Sequence, residues 1–218
     1  MHRHPTNTNL SLHYGPVFLG KPIQVDKGPF IQEYLSRLDE TIQRALEQYS
    51  RVFAFRVDLR LPTNTQLPAC AYTNQVIDRF MESFKDKIRR NRRMALLRSP
   101  KSHGSCVRYV WAREIGQHGL PHYHLVILLN RDAFTVLGNF KSNSDNIFHR
   151  LESAWASALR LSVEAISGAV HIPDNPVYYL DRGQSEGQNE LFKRASYLCK
   201  AATKVYGDGN HAFGASRL

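Results

Sequence analysis

Apolar residues recur three and four positions apart at Phe30, Ile31, Tyr34, Leu35, Leu38, Ile42, Ala45, Leu46 and Tyr49. That spacing predicts an amphipathic helix over residues 30–49. RVFAFRVDLRL, residues 51–61, is rich in Val, Phe and Leu, stops at Pro62 and reads as a strand. A Pro-, Thr- and Asn-containing loop follows, and Asn74 is placed to cap a helix over residues 75–97 built on Val76, Ile77, Phe80, Phe84 and Ile88. Residues 105–116 and 121–129 read as strands, and the short GQHGLP connection makes them an antiparallel hairpin. A helix over residues 144–161 carries Ile147, Leu151, Trp155 and Leu159 on one stripe. GAVHI, 168–172, is a short strand, followed by a loop with Pro173, Pro176, Tyr178 and Tyr179. A last helix starts near residue 189 and ends near Gly207. Residues 1–29 show little periodicity and read as an irregular arm.

The order from residue 51 is therefore β, α, β, β, α, β, then a helix. This is the split pattern of a ferredoxin-like (RRM-like) α+β fold with an antiparallel sheet. Many unrelated activities use that architecture, so the chemistry must come from particular residues.

Composition narrows the partners. The 218 residues are 42% hydrophobic, enough for a core, and carry a net charge of +10. That balance favours a polyanion, nucleic acid first and a membrane surface second. No apolar run approaches the length of a membrane span, and the N-terminal stretch lacks the apolar core of a signal peptide. Cys70, Cys106 and Cys199 have neither paired nor metal-like spacing and fit reduced thiols in a cytoplasm. The charge concentrates at Lys85, Lys87, Arg89, Arg90, Arg92, Arg93, Arg98 and Lys101, against Asp86 alone. Such a run can track a phosphate backbone, although cations also suit a helix C-terminus.

HGLPHYHLVILLN, residues 118–130, sets two histidines at the mouth of an aliphatic strand. Alternation puts His122 and His124 on one face with Val126 and Leu128, and Tyr123, Leu125, Ile127 and Leu129 on the other. Both faces are apolar, so the strand is central and covered on both sides. On the neighbouring strand Glu114, Ala112, Val110 and Arg108 share a face, and one hairpin register brings Glu114 beside the histidines. Two imidazoles and a carboxylate suit a divalent cation acting as a Lewis acid on phosphate. The third ligand stays open between Glu114 and His118 from the turn, and a purely structural histidine pair is the alternative to a metal site. His171 also sits on a strand that can approach this face. On the last helix, Tyr197 and Lys200 are three apart and share a face. A tyrosine hydroxyl beside a cation can be a phosphoryl-transfer nucleophile; its alternative is helix packing.

PHYHLVILL, Glu114 and YLCK together resemble the HUH endonuclease superfamily of rolling-circle replication initiators. FAFRVDLRLP and WAREIGQHGLPHYHLVILLN look most like the filamentous-phage (inovirus) type, over roughly residues 50–205. The resemblance implies Mg²⁺ or Mn²⁺ held by His122, His124 and Glu114, attack by Tyr197 on single-stranded or hairpin DNA, and phosphate positioning by Lys200. It also implies a 5′-phosphotyrosine link, a free 3′-OH, and host helicase and polymerase as partners in a bacterial cytoplasm. Lys85, Lys87, Arg89, Arg90, Arg92 and Arg93 are the expected DNA contacts. The chain then divides into an arm and helix at 1–49, the endonuclease domain at 50–207 and a tail at 208–218. Four residues either side of Tyr197 stand Lys193 and Ala201, so the pattern is that of a single-tyrosine enzyme. A non-catalytic DNA-binding regulator and a phosphoesterase using water are the rival readings.

Overall fold

The computed structural model describes residues 2–63, 65–116, 119–141 and 145–217. The arm expected to be irregular is paired over part of its length. β1 (His2–His4), β2 (Asn7–His13) and β5 (Phe30–Ile31) form a small antiparallel sheet, and β3 (Val17–Phe18) pairs with β4 (Lys21–Pro22). The strands are short and mixed in polarity, so periodicity could not reveal them. Their apolar anchors are few: Leu12, Ile23, Phe30 and Ile31 are buried.

α1 (Gln32–Gln48) follows the apolar stripe, burying Leu35, Leu38, Ile42, Ala45 and Leu46. Burying each of its larger aliphatic side chains contributes about 1.5–3 kcal/mol. Next come β6 (Arg51–Leu59), α2 (Gln75–Arg98), β7 (Arg108–Ile115), β8 (Pro121–Asn130) and α3 (Ile147–Leu159). Residue 144, where the last of these was expected to start, lies outside the described residues; the helix is capped by Asn146, whose side chain accepts from the His149 amide. β9 (Val170–His171), β10 (Val177–Asp181), α4 (Glu186–Ala195) and β11 (Phe213–Ala215) complete the chain.

The main sheet is antiparallel, in the order β10, β6, β8, β7, β11, with β9 also on β6. Three details depart from the sequence reading. Tyr178 and Tyr179, expected in a loop, lie on β10 against Ala54 and Phe53 of β6. Residues 213–215, expected in a tail, pair with β7, where Gly214 faces Trp111. A Cβ there would lie 2.5 Å from the indole, so glycine lets the strand close over the ring. Asn74 precedes α2 without capping it: its side chain bonds the backbone of His211 and pins the C-terminal segment.

Alternation on the strands divides the core. Phe53, Phe55, Val57, Trp111, Tyr123, Leu125 and Ile127 face α2 and α3. Val52, Ala54, Val110, Ala112, Val126 and Leu128 face α1 and α4. β8 is thus covered on both sides, which makes it a rigid mount for anything at its ends.

Candidate metal centre and tyrosine segment

The hairpin register places Glu114 opposite His122 and Ala112 opposite His124. β6 pairs Asp58 with His124 and, on its other edge, with His171. All lie on the face that carries α1 and α4, just beyond the apolar positions. The ligand atoms of Glu114, His122 and His124 fall within 4.8 Å of one another. The two Nε2 atoms are 3.1 Å apart, and Glu114 Oε2 is 3.5 Å from His124 Nε2 and 3.9 Å from His122 Nε2. His118 lies outside the described residues.

The surroundings fix these groups. His124 Nδ1 is 2.7 Å from Asp58 Oδ1, which also receives Arg56 at 3.0 Å. With the Nδ1 proton held by Asp58, the Nε2 lone pair of neutral His124 faces Glu114 and His122. Glu114 Oε1 accepts from Thr203 Oγ1 at 2.7 Å and Lys204 Nζ at 3.2 Å, and Lys200 Nζ is 3.3 Å from Oε2. The Lys204 side chain is fully buried.

These contacts set the ionisation. Burial works to raise the Glu114 carboxyl, but the His124 hydrogen bond, the Lys204 charge and the Thr203 hydroxyl outweigh it and hold it far below the carboxylate range. For Asp58, burial is likewise outweighed, by His124, Arg56 and His171, and the net shift is downward. Burial pushes His122 down, with the His124 charge adding to it. For His124 burial is overcome by hydrogen bonds to Asp58 and Glu114, and its pKa rises. Burial also lowers Lys204, against the pull of Glu114. Without an ion, the two carboxylates therefore favour the charged form of His124 over its ordinary balance. One carboxylate and two imidazoles are a donor set for a divalent cation, and a cation entering there would take the place of a proton on charged His124.

Tyr197 and Lys200 do not sit on an α-helix as the sequence predicts. α4 ends at Ala195, and Ser196–Cys199 form a 3₁₀ turn. The cause is the N-terminal strap. Gln24 Nε2 bonds the carbonyls of Lys193 and Arg194, the acceptors that residues 197 and 198 would use in a continued helix. The Gln24 amide meets Ser196 Oγ, and the Ala201 amide donates to Pro29. The turn sets the Tyr197 ring against His124, centroids 5.5 Å apart and edge to face. Lys200 Nζ folds over the same ring at 3.7 Å. No hydrogen bond ties the Tyr197 hydroxyl to any described residue.

A groove of about 430 Å³ opens beside the histidines, lined by Arg60, Leu61, Thr63, Gly116, Leu120 and Pro121. The basic residues expected to contact DNA are not here. Lys85, Lys87, Arg89, Arg90, Arg92 and Arg93 lie on the second half of α2, against the other sheet face. Lys85 covers Tyr109 near the start of β7, and Arg92 covers Phe134 beyond the end of β8. From His124 to Asn130 alone the strand spans about 20 Å. His171 does approach, 3.8 Å from Asp58 Oδ2. Asp58, Arg56, Thr203 and Lys204 escaped the sequence reading. Asp58 left a signal, a charge breaking the apolar run FAFRVDL; Thr203 and Lys204 left none.

Residues 15–216 match the family described as the YagK/YfjJ C-terminal domain. The chain is similar to two proteins of Escherichia coli (strain K12). It is 32% identical to the uncharacterized protein YagK, over 91% of this chain and 99% of that one. It is 30% identical to the uncharacterized protein YfjJ, over 87% and 96%. Among solved structures, the N-terminal nuclease domain of Minute virus of mice non-structural protein-1 aligns at 9% identity and a TM-score of 0.25, over 82% of this chain and 77% of that one.

Proposed function

The chain belongs to the YagK/YfjJ C-terminal domain family, and we propose that it is a metal-dependent, tyrosine-nucleophile endonuclease of the HUH type. It would nick single-stranded or hairpin DNA and initiate rolling-circle replication. The observation that carries this reading is the meeting of three elements at one end of β8: the Glu114–His122–His124 cluster, the Tyr197 ring on His124, and the Lys200 ammonium over that ring. The strand order β10, β6, β8, β7 supports the ferredoxin-like arrangement that the sequence predicts.

Glu114, His122 and His124 would hold Mg²⁺ or Mn²⁺. When bound, the ion supplies Lewis-acid polarisation of a phosphate oxygen. The chain's own groups do the rest. Arg60 and the neighbouring groove would guide the strand to the histidines. The Tyr197 oxygen attacks phosphorus, a new O–P bond forms, and the bond from phosphorus to the 3′-oxygen breaks. The tyrosine proton leaves to water, the Lys200 ammonium would hold the scissile phosphate, and the departing 3′-oxygen takes a proton from water. The products are a 5′-phosphotyrosine and a free 3′-OH for a host polymerase, with strand separation left to a host helicase. Attack by that 3′-OH on the phosphotyrosine reverses the step and rejoins the strand.

The test is incubation with labelled single-stranded and hairpin DNA carrying the protein's own replication origin, with Mn²⁺. A protein–DNA adduct should survive SDS and disappear with EDTA or His122→Ala. Turnover without an adduct, insensitive to Tyr197→Phe, would make water the nucleophile. Sequence-specific binding unaffected by EDTA, with neither adduct nor turnover, would leave a regulator.

A further inference from the structure

The basic half of α2 is left unused by the site just described, and its charges are largely uncompensated. Asp86 pairs with Arg89 and Asp145 with Arg150. Lys87, Arg90, Arg93 and Arg98 have no carboxylate partner among the described residues, and the last three are exposed. Residues 87–98 span about 17 Å of helix, the rise of about five base pairs. The ridge stands between two grooves, of about 550 Å³ towards α3 and about 520 Å³ towards β7 and β11. The first also holds the Asp145–Arg150 pair, and the second adds Arg217 to the basic lining.

We infer that this ridge is a separate binding surface for the phosphate backbone of duplex DNA, on the opposite sheet face from the Glu114–His122–His124 cluster. Duplex is favoured over single strands by what the ridge lacks among the described residues: no Phe, Tyr or Trp other than Tyr109 lines either groove. Single-strand grooves stack bases on open aromatic faces. Here Tyr109 lies beneath Lys85, and Phe134 lies beneath Arg92 and Arg150. Charge without a stacking platform reads backbone, not base. The protein would then hold a duplex arm on one face and present an unpaired segment to the other.

The experiment measures fluorescence anisotropy of the full chain with a mixed-sequence duplex of about twenty base pairs and with oligo(dT) of equal length, across a KCl series. A variant carrying Lys87→Gln, Arg90→Gln, Arg93→Gln and Arg98→Gln should flatten the duplex slope of log affinity against log salt by about 3 to 4. Oligo(dT) binding and Mn²⁺ binding should be retained. In the wild-type protein, duplex should protect Lys87 from acetylation, a readout that needs no variant. An unchanged slope with Lys87 unprotected would overturn the inference. So would parallel loss of oligo(dT) binding, which assigns the ridge to single strands, or displacement of duplex by equal charge as polyglutamate, which assigns it to an acidic protein. None of these readouts requires cleavage, so the inference can fail while the endonuclease reading stands, and the reverse.

Discussion

Asp58 and His124 face each other across β6 and β8, joined by a 2.7 Å contact from Oδ1 to Nδ1. The carboxylate fixes the ring so that Nε2 faces Glu114 and His122. Asp58→Asn keeps the shape but loses the anion. Mn²⁺ affinity by titration calorimetry should fall about 10- to 100-fold. Unchanged affinity would remove Asp58 from the account.

Glu114 is held by three neighbours, two of them buried ammonium groups. Removing its charge leaves those cations without an anion. Glu114→Gln should destabilise the metal-free protein by about 3–5 kcal/mol in urea denaturation. Adding Lys204→Met should recover part of that loss, because an apolar side chain replaces a cation at a fully buried position.

The histidines should titrate in a set order, readable by NMR in the metal-free protein. His124 loses its proton above its ordinary 6.5, and His122 gains one only below it. The raised His124 contributes stability that is present below pH 6.5 and lost as pH rises through its folded-state pKa. The lowered His122 works the other way, losing stability as pH falls below 6.5. The lowered Asp58 and Glu114 contribute stability that is present above their ordinary 3.8 and 4.5, and lost as pH falls through their folded-state values. Cation binding needs neutral imidazoles, so Mn²⁺ affinity should rise between about pH 6 and 8. A flat profile would contradict the proton placement.

Gln24 reaches from the N-terminal strap to the segment that carries Tyr197. Gln24→Ala removes two side-chain hydrogen bonds and should cost about 1–2 kcal/mol of stability. Its sharper effect is expected on function: slower adduct formation with Mn²⁺ affinity retained. If both change together, the strap supports the whole site and not the tyrosine segment.

The sequence was most legible where periodicity is strong. Within 30–49, Val76–Ile88 and Ile147–Leu159 the apolar stripes declare helices because burial on one face dominates, although Phe30 and Ile31 pair as a strand, and the shared face of His122 and His124 follows from alternation in PHYHLVILL. Legibility failed where distant contacts override local pattern. The helix predicted through Tyr197 breaks at Ser196 because Gln24, 172 residues away, takes its carbonyls. β11 is a strand only because β7 offers an edge, and Lys204 reaches Glu114 across 90 residues of sequence. The sheet face covered by the basic half of α2 was not legible either, since charge along a helix does not say which face it covers.

The central claim is that Tyr197 is the nucleophile at the Glu114–His122–His124 site. The measurement that tests it most directly is peptide mapping by mass spectrometry of the adduct formed with single-stranded DNA and Mn²⁺. A nucleotide remnant on the peptide containing Tyr197, absent from Tyr197→Phe, is the expected result. A remnant on another residue, or a cleaved strand with no covalent protein mass, would contradict it.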